Sequence, residues 1–350
     1  GSIAISLPHP SNGVFISVIT PAYNRADEIG YLIDSMANQT IGPDRFEMII
    51  VDDGSTDTTA DIIKDNKSQL NLNIKYIKQD NSGPGAARNR GIEAAAGTLL
   101  TFIDSDCEAD PRWLESIEAA FQDKQFDAFG GPDASREDFS LLQRAIDFSM
   151  TSFLTTGGFR GHSDLPLAKF YPRSHNMGMT RTLYDKVGGF GSLRHGQDIE
   201  LSHRIHRSGA KVVNLKEAVV YHRRRTTILR FFRQVFNWGV ARINLGMIDR
   251  TMLELLHCIP AIVTVIAVVI TAGFLIDPIE YGSFFQLGFG FLIFVSGVGA
   301  WQMKSVRAFF LLLIVIPVQL FGYGTGFILA YIRRFIFRRD EWTGFRKRYY

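Results

Sequence analysis

The sequence predicts an α/β domain built on a largely parallel sheet, followed by a helical region embedded in a membrane. Three observations predict it. Short apolar runs alternate with helix-patterned segments up to about residue 222, several of those runs end in loops carrying glycine and carboxylates, and beyond residue 250 long stretches are almost free of charge. At 350 residues the chain can form one α/β domain of ordinary size plus an appendage.

Taken in order, Phe15 to Thr20, Phe46 to Val51, Ile74 to Ile77 and Thr98 to Ile103 each read as a short strand buried on both faces. Between them Glu28 to Asn38, Thr58 to Asn66 and Pro84 to Ala96 carry helical spacing, with Asp57 as an N-cap for the second. That alternation predicts a parallel sheet with helices on both faces and a ligand at the carboxyl ends of its strands. The loops at those ends are therefore the place to look for chemistry.

Past the domain, Leu255 to Ile276, Phe284 to Ala300 and Phe309 to Ala330 are each close to the ~20 residues a helix needs to cross hydrocarbon. A buried helical bundle is the bland alternative, and the short connections argue against it. The basic residues pose a conflict. Arg242 and Arg250 precede the first segment, Lys304 and Arg307 separate the second from the third, and Arg333, Arg334, Arg338 and Arg339 follow the third. Positive charge favours the cytoplasmic side, and three full crossings cannot keep all of these on one side. Either the third segment, interrupted by Pro317 and Gly322-Tyr-Gly-Thr-Gly326, turns back within the membrane, or the basic C-terminus breaks the rule. Thr226 to Ile248 mixes Phe231, Phe232, Phe236 and Trp238 with Arg230, Arg233 and Arg242, which suits a helix lying among headgroups or one packed on the catalytic domain. The expected division is 1–225 catalytic domain, 226–250 amphipathic interfacial helix, 251–335 transmembrane region and 336–350 basic tail.

A net charge of +3 implies no nucleic-acid partner. Cys107 and Cys258 are far apart, so no disulfide framework is expected and a reducing, cytoplasmic setting fits. No basic region leading into an apolar core precedes the first strand, so a signal peptide is not expected and the soluble part should stay on the cytoplasmic side.

Four segments carry the chemistry. The first strand ends in Ser17-Val-Ile-Thr-Pro-Ala-Tyr-Asn24 and the second in Val51-Asp-Asp-Gly-Ser-Thr-Asp57, where a turn exposes backbone groups and a carboxylate to a base and ribose. Each alone is an ordinary turn. The loop Asn81-Ser-Gly-Pro-Gly-Ala-Ala-Arg-Asn-Arg-Gly91 opens a helix on glycines and brings Arg88 and Arg90 one turn in, where a guanidinium fork suits carbonyl or phosphate oxygens. A helix cap with surface arginines would look the same. Leu99-Leu-Thr-Phe-Ile-Asp-Ser-Asp106 runs an apolar strand into two carboxylates. Holding two like charges at a strand end is costly without a cation, and hard oxygen ligands favour Mg or Mn, which would neutralise a leaving diphosphate.

In this order and spacing, over about residues 14 to 222, the four segments resemble the family 2 glycosyltransferases of the GT-A fold. The resemblance implies a Rossmann-like mixed sheet, an inverting reaction and a nucleotide-sugar donor, with uridine as the base. It implies that Pro21, Tyr23 and Asp53 hold base and ribose, that Arg88 helps with the base, that Gly85 also binds the nucleotide-sugar, and that Asp104 and Asp106 contact ribose and metal. The family's general base lies in an acidic pair at a helix start. Here that stretch is Gly196-Gln-Asp-Ile-Glu200, so Asp198 matches the base while Gln197 replaces the first acid on the acceptor side. His222 matches a late histidine that serves as a further metal ligand, although a lone histidine is more often structural. An aspartate of ordinary pKa is a weak base, so burial is expected to raise the pKa of Asp198.

Gln234-Val-Phe-Asn-Trp238 resembles the Gln-x-x-Arg-Trp motif of processive membrane synthases, with Asn237 in place of arginine. Gln234 and Trp238 are thus acceptor-side candidates. The substitution and the small membrane part favour transfer of a single sugar to a lipid-linked or membrane-surface glycan, at the inner membrane. The long stretch Ala134 to Met177, with Gly157-Gly158, Arg160, His162, Arg173 and His175, is expected to be a mobile acceptor-side loop. The alternatives are a processive polysaccharide synthase, a polyprenyl-phosphate sugar synthase, and a non-catalytic nucleotide-sugar-binding membrane protein. A dinucleotide oxidoreductase is disfavoured because Gly-x-Gly-x-x-Gly is absent after the first strand.

Overall fold

The structure, a computed structural model, describes residues 14–134, 139–156, 171–193, 195–222 and 227–345. Gly157, Gly158, Arg160 and His162 of the expected acceptor loop lie outside the described residues.

The chain opens with β1 (Ile16–Ala22), α1 (Ile29–Ala37), β2 (Phe46–Asp52), α2 (Thr59–Gln69), β3 (Ile74–Lys78), α3 (Pro84–Ala94) and β4 (Leu99–Ile103). These are the four strands and three helices expected, with ends moved by at most three residues. One difference concerns Asp57: the residue before α2 is Thr58, and Asp57 stands one place further back, where its Oδ1 still accepts from the Thr59 amide at 3.0 Å. Next come β5 (Cys107–Ala109), α4 (Trp113–Lys124), β6 (Ala128–Gly130), β7 (Asp133–Ala134), α5 (Leu141–Thr151), α6 (Phe153–Thr156), β8 (Asn176–Thr180), α7 (Arg181–Val187), α8 (Gln197–Arg207), β9 (Val212–Asn214) and β10 (Val220–His222).

A seven-stranded sheet runs β3-β2-β1-β4-β8-β6-β9, and a three-stranded one runs β5-β10-β7. Strands β3, β2, β1 and β4 are parallel, as the alternation with helices requires. Strand β8 is antiparallel to both β4 and β6, so the sheet is mixed, as the family resemblance implies.

Period-two alternation assigns the apolar residues of each strand to two cores. Ile16, Val18, Met48, Ile50, Leu99 and Ile103 face α1, α2 and α4, where Ile29, Leu32, Ile33 and Met36 form one stripe of α1. Ile19, Ile49, Val51, Leu100 and Phe102 face α3, α7 and α8. Helix α3 sits hard against this face because Gly91 has no side chain: a Cβ there would stand 2.5 Å from Cγ2 of Ile19. The strand order reverses direction between β1 and β4, and the crevice at their carboxyl ends is the place such folds offer a ligand.

Three helices long and apolar enough to cross a membrane follow the domain. They are preceded by α9 (Ile228–Ile248) and are α10 (Leu255–Ile276), α11 (Pro278–Gln302) and α12 (Val306–Tyr331). Helix α12 is continuous through Pro317 and the glycine run, so the third segment does not break and turn back on itself. Those glycines serve packing instead. Gly322 lies against Phe232 and Val235, Gly326 against the backbone of Phe236, and Gly324 against Pro260 and Thr264 of α10.

The three helices form a triangle rather than a bundle of parallel spans. Helices α10 and α11 meet at their connection, where Gly273 lies on Tyr281 and the rings of Phe274 and Phe285 stack at 4.8 Å. At its other end α10 meets α12 near Gly324, while α11 meets it near Leu312 through Gly299 and Val295. Helix α12 therefore bridges the open end of an α10–α11 hairpin. It also lies along α9, from Phe231 beside Leu312 and Val315 to Val240 and Ile243 beside Phe327 and Ala330. Helix α9 in turn packs on the catalytic domain at both ends, through α5 and through Leu245 against Ile199. Its Leu229, Arg230, Arg233, Met247 and Ile248 remain exposed. Residues Trp342 to Phe345 close over α9, with the Phe345 amide donating to Asn237 Oδ1 at 3.0 Å and Asn244 Nδ2 donating to the Trp342 carbonyl at 2.8 Å.

Candidate active site

The loops after β1 and β2 are stitched to each other. Asn24, in the left-handed region at φ 51°, accepts from the Thr56 amide at 2.8 Å through Oδ1, and its own amide donates to Ser55 Oγ at 3.0 Å. This fixes Pro21, at the end of β1, and Tyr23, just after it, beside the Asp-Asp-Gly turn. The two aspartates of that turn have different work. Buried Asp52 accepts from the Ser55 amide at 2.8 Å and the Tyr76 hydroxyl at 2.7 Å. Buried Asp53 holds the glycine loop: its Oδ1 accepts from Gln79 Nε2 at 2.7 Å and the Ser82 amide at 2.8 Å, and its Oδ2 from the Gly83 amide at 2.8 Å. Gly83 precedes α3 at φ 96°, which only glycine adopts at little cost, and Pro84 then starts the helix. So the second and third motifs are one structural unit, joined through Asp53.

One turn into α3, buried Arg88 reaches the carboxyl end of β4. Its Nη2 donates to Asp104 Oδ1, and the guanidinium lies over the Phe190 ring with its carbon 5.2 Å from the centroid. Gly85, on the preceding turn, is where the Gln197 amide packs: a Cβ there would stand 2.5 Å from Gln197 Nε2. The donor-side loop and the acceptor-side helix thus touch, and Gln197 Nε2 donates to the Gly191 carbonyl at 3.2 Å.

The paired acids after β4 separate. Asp104 turns to Arg88, whereas Asp106 turns to the small sheet. There β10 pairs with β5 so that His222 stands opposite Cys107, and with β7 so that Val220 aligns with Asp133. His222 Nε2 lies 3.3 Å from Asp106 Oδ1, and its Nδ1 lies 3.7 Å from Asp133 Oδ2. His175, next to β8, reaches the same Asp133 oxygen at 3.8 Å and places its ring 5.3 Å from that of His222. Donor atoms of Asp106, Cys107 and His222 all lie within 4.8 Å of one another. A carboxylate and an imidazole with a second carboxylate behind it suit Mn or Mg, so the donor set fits a divalent ion, with Asp104 directed elsewhere. Arg25 Nη2 stands 3.8 Å from Asp106 Oδ2. Burial lowers its proton affinity, yet Asp106, Glu28 and Asp104 more than reverse that and hold it firmly charged.

Asp198 sits in the first turn of α8, where the helix dipole favours a carboxylate. Arg173 Nη1 stands 3.4 Å from its Oδ2. The expected pKa shift is reversed. Burial does push the Asp198 carboxyl up, but Arg173, then His175 and Arg88, outweigh it and hold the group below its ordinary value. Burial alone was the wrong guide because the cations that reach it come from distant parts of the sequence. Arg88 thus faces both Asp104 and Asp198, which links the donor and acceptor sides of the crevice.

Gln234 and Trp238 share one face of α9, and Trp238 packs with α5 and α12. Asn237, at the position of the motif's arginine, is turned to the C-terminal segment instead. A cavity of about 440 Å³ between Gly191, Glu200, Asn244 and Arg334 lies on this flank, away from Asp106 and His222. Sequence reasoning missed Asp133. Its only signal was an acid after the Gly130-Gly131-Pro132 turn, short of any motif.

The fold is of the GT-A type, with the crevice at the carboxyl ends of its parallel strands. The mannosyltransferase of Pyrobaculum calidifontis, solved in complex with GDP-Man and Mn2+, shares the architecture over 95% of this chain and 90% of its own, with a TM-score of 0.64 at 16% identity. Residues 17–188 match the family model for glycosyl transferase family 2. Among curated relatives, the glycosyltransferase AglE of Haloferax volcanii is 28% identical over 272 residues, 77% of this chain and 84% of AglE. The putative glycosyltransferase EpsH of Bacillus subtilis is 29% identical over 65% of this chain and 66% of its own length. The validoxylamine A glucosyltransferase of Streptomyces hygroscopicus is 38% identical over 107 residues, 30% of this chain and 23% of that protein.

Proposed function

We propose that this chain is an inverting, metal-dependent glycosyltransferase that moves a sugar from a nucleotide-diphosphate donor, UDP-linked by family resemblance, to a hydroxyl of a lipid-linked or membrane-surface glycan. The observation that carries the reading is the convergence of Asp106, His222, Arg88 and Asp198 on the crevice where the strand order reverses. Pro21 and Tyr23 face the base. Arg88 and Asp104 meet the donor, and Asp53 keeps their loop in place. Asp106 and His222 would hold a divalent ion, which supplies positive charge to the leaving diphosphate. Asp198 accepts the proton of the acceptor hydroxyl as it attacks the anomeric carbon from the face opposite the leaving group, so the configuration inverts.

The triangle of helices supports a membrane arrangement for the same reading. The α10–α11 hairpin crosses the bilayer and returns, while α12 lies beside α9 at the cytoplasmic surface. The basic residues before α10, between α11 and α12, and after α12 then all lie on one side, as the charge bias favours. Ile276 and Ile279, at the hairpin tip, are 85% and 94% exposed and suit the far edge of the hydrocarbon.

The test is nucleoside-diphosphate release by the full chain in detergent, across UDP- and GDP-sugars with Mn or Mg. Release from one donor that needs metal and is lost in Asp106→Ala supports the reading. Tight donor binding with no release in the presence of lipid acceptors overturns it in favour of a nucleotide-sugar-binding protein.

A further inference from the structure

The arginine that meets the donor has a neighbour with a second task. Asn89, the residue after Arg88 in α3, reaches the loop that follows α7 and bonds both backbone groups of Phe190. The Phe190 amide donates to Asn89 Oδ1 at 2.8 Å, and Asn89 Nδ2 donates to the Phe190 carbonyl at 2.9 Å. One side-chain amide thus replaces the pair of bonds that a neighbouring strand would make. Two glycines allow the approach. Gly188 ends α7 at φ 76°, and a Cβ on Gly189 would stand 2.2 Å from Asn89 Oδ1. From the other side Arg204 of α8 donates to the carbonyls of Val187 and Gly189, while Glu200 accepts from the same guanidinium at 2.6 and 2.8 Å.

The loop is therefore anchored from α3 and from α8, and between the anchors it presents the Phe190 ring. That ring is buried and stands nearly perpendicular to Phe102 of β4, with centroids 5.1 Å apart. The Arg88 guanidinium lies over it, 5.2 Å from the centroid. Arg88 is itself 5% exposed, yet its Nε finds no hydrogen-bond partner among the described residues, and the guanidinium spends a single bond on Asp104. One hydrogen bond leaves a guanidinium free to turn about it, and an aromatic face beneath its plane removes that freedom.

We propose that Asn89 and Phe190 are positioning residues for Arg88: Asn89 locks Phe190, and the ring holds the guanidinium plane so that its uncommitted donors meet the nucleotide. This deepens the donor assignment above and rests on it. It also ties donor binding to the acceptor side, because the next residue of the same loop, Gly191, offers its carbonyl to Gln197.

The test is a double-mutant cycle on UDP and GDP binding to the full-length protein in detergent with Mn2+, read by calorimetry. Phe190→Leu keeps an apolar side chain and removes the ring, so the tighter-binding nucleotide should lose about tenfold in affinity. In an Arg88→Gln background the same substitution should cost less than about twofold, since its effect runs through the guanidinium. Asn89→Ala should follow the same pattern, and either variant suffices if thermal melts show that the other does not fold. A loss of equal size in both backgrounds, or none in either, overturns the proposal and leaves Phe190 a packing residue. A second measurement needs no nucleotide. Phenylglyoxal should modify Arg88 faster in Phe190→Leu and Asn89→Ala than in the parent, mapped by peptide mass spectrometry, and an unchanged rate overturns the proposal. If neither nucleotide binds the parent, the donor reading falls and the labelling alone judges this one. If nucleotide binds and the cycle shows no coupling, only this one falls.

Discussion

The Arg173 guanidinium stands 3.4 Å from the Asp198 carboxylate and keeps the proposed base ionised in spite of its burial. A carboxyl with a lowered folded pKa contributes stability above its unfolded value, and that contribution is lost as pH falls through the folded one. The acid limb of kcat/KM due to Asp198 is therefore expected below the ordinary carboxylate range. Arg173→Gln removes the largest lowering influence and leaves burial, so the limb should move to higher pH. A profile measured at saturating Mn that does not move would remove Arg173 from this role. Asp198→Asn should cost ~10²–10⁴ in kcat while leaving nucleotide affinity in place.

Asp104 and Asp106 should separate by assay. Asp106 faces His222, so Asp106→Asn and His222→Gln should each weaken Mn2+ binding, read by electron paramagnetic resonance without any substrate. Asp104 is on Arg88 instead, so Asp104→Asn should keep more Mn2+ affinity and lose nucleotide affinity. Equal loss of metal in all three variants would mean that both acids bind the ion.

How much of this was legible in the sequence depended on how local the cause was. The strands β1 to β4 and helices α1 to α3 were readable because apolar periodicity and the turn residues act within a few positions, and α10 was readable because its length and near absence of charge mark a helix able to cross a membrane. The antiparallel β8 was not readable, since its partners β4 and β6 are set by tertiary pairing. In the site, motif spacing named Asp104, Asp106, Asp198 and His222 as candidates. It could not reveal that Asp53 spends its carboxylate on the glycine loop, that Asp133 stands behind His222, or that Arg173 reaches Asp198, because each contact joins residues at least 25 positions apart.

Asp53 makes a stability prediction. Its two oxygens accept from two loop amides and one side chain while fully buried. Asp53→Asn replaces one acceptor by an N–H donor, leaving a buried amide facing another donor at a cost of ~1–3 kcal/mol. The melting temperature should fall, and nucleotide affinity should fall with it as the Ser82–Arg88 loop loosens. A variant that binds nucleotide poorly but melts like the parent would assign Asp53 to direct ligand contact instead.

The helix triangle makes the last prediction, and labelling in sealed inverted membrane vesicles can test it. If α12 were a third crossing, residues before and after it would lie on opposite sides. Its whole length instead follows α9, and its two ends lie near α5 and near the C-terminal segment that closes over α9, so both should face the catalytic domain. Single cysteines at Ser305 and Asp340 should therefore react with a membrane-impermeant maleimide from the same side as one at exposed Arg90, in a background where Cys107 and Cys258 are replaced by Ala. A cysteine at Glu280, beside the hairpin tip, should react only from the other side. Protection of Asp340→Cys together with Glu280→Cys would establish three crossings, detach α12 from the interface, and leave the C-terminal arginines outside against the charge bias.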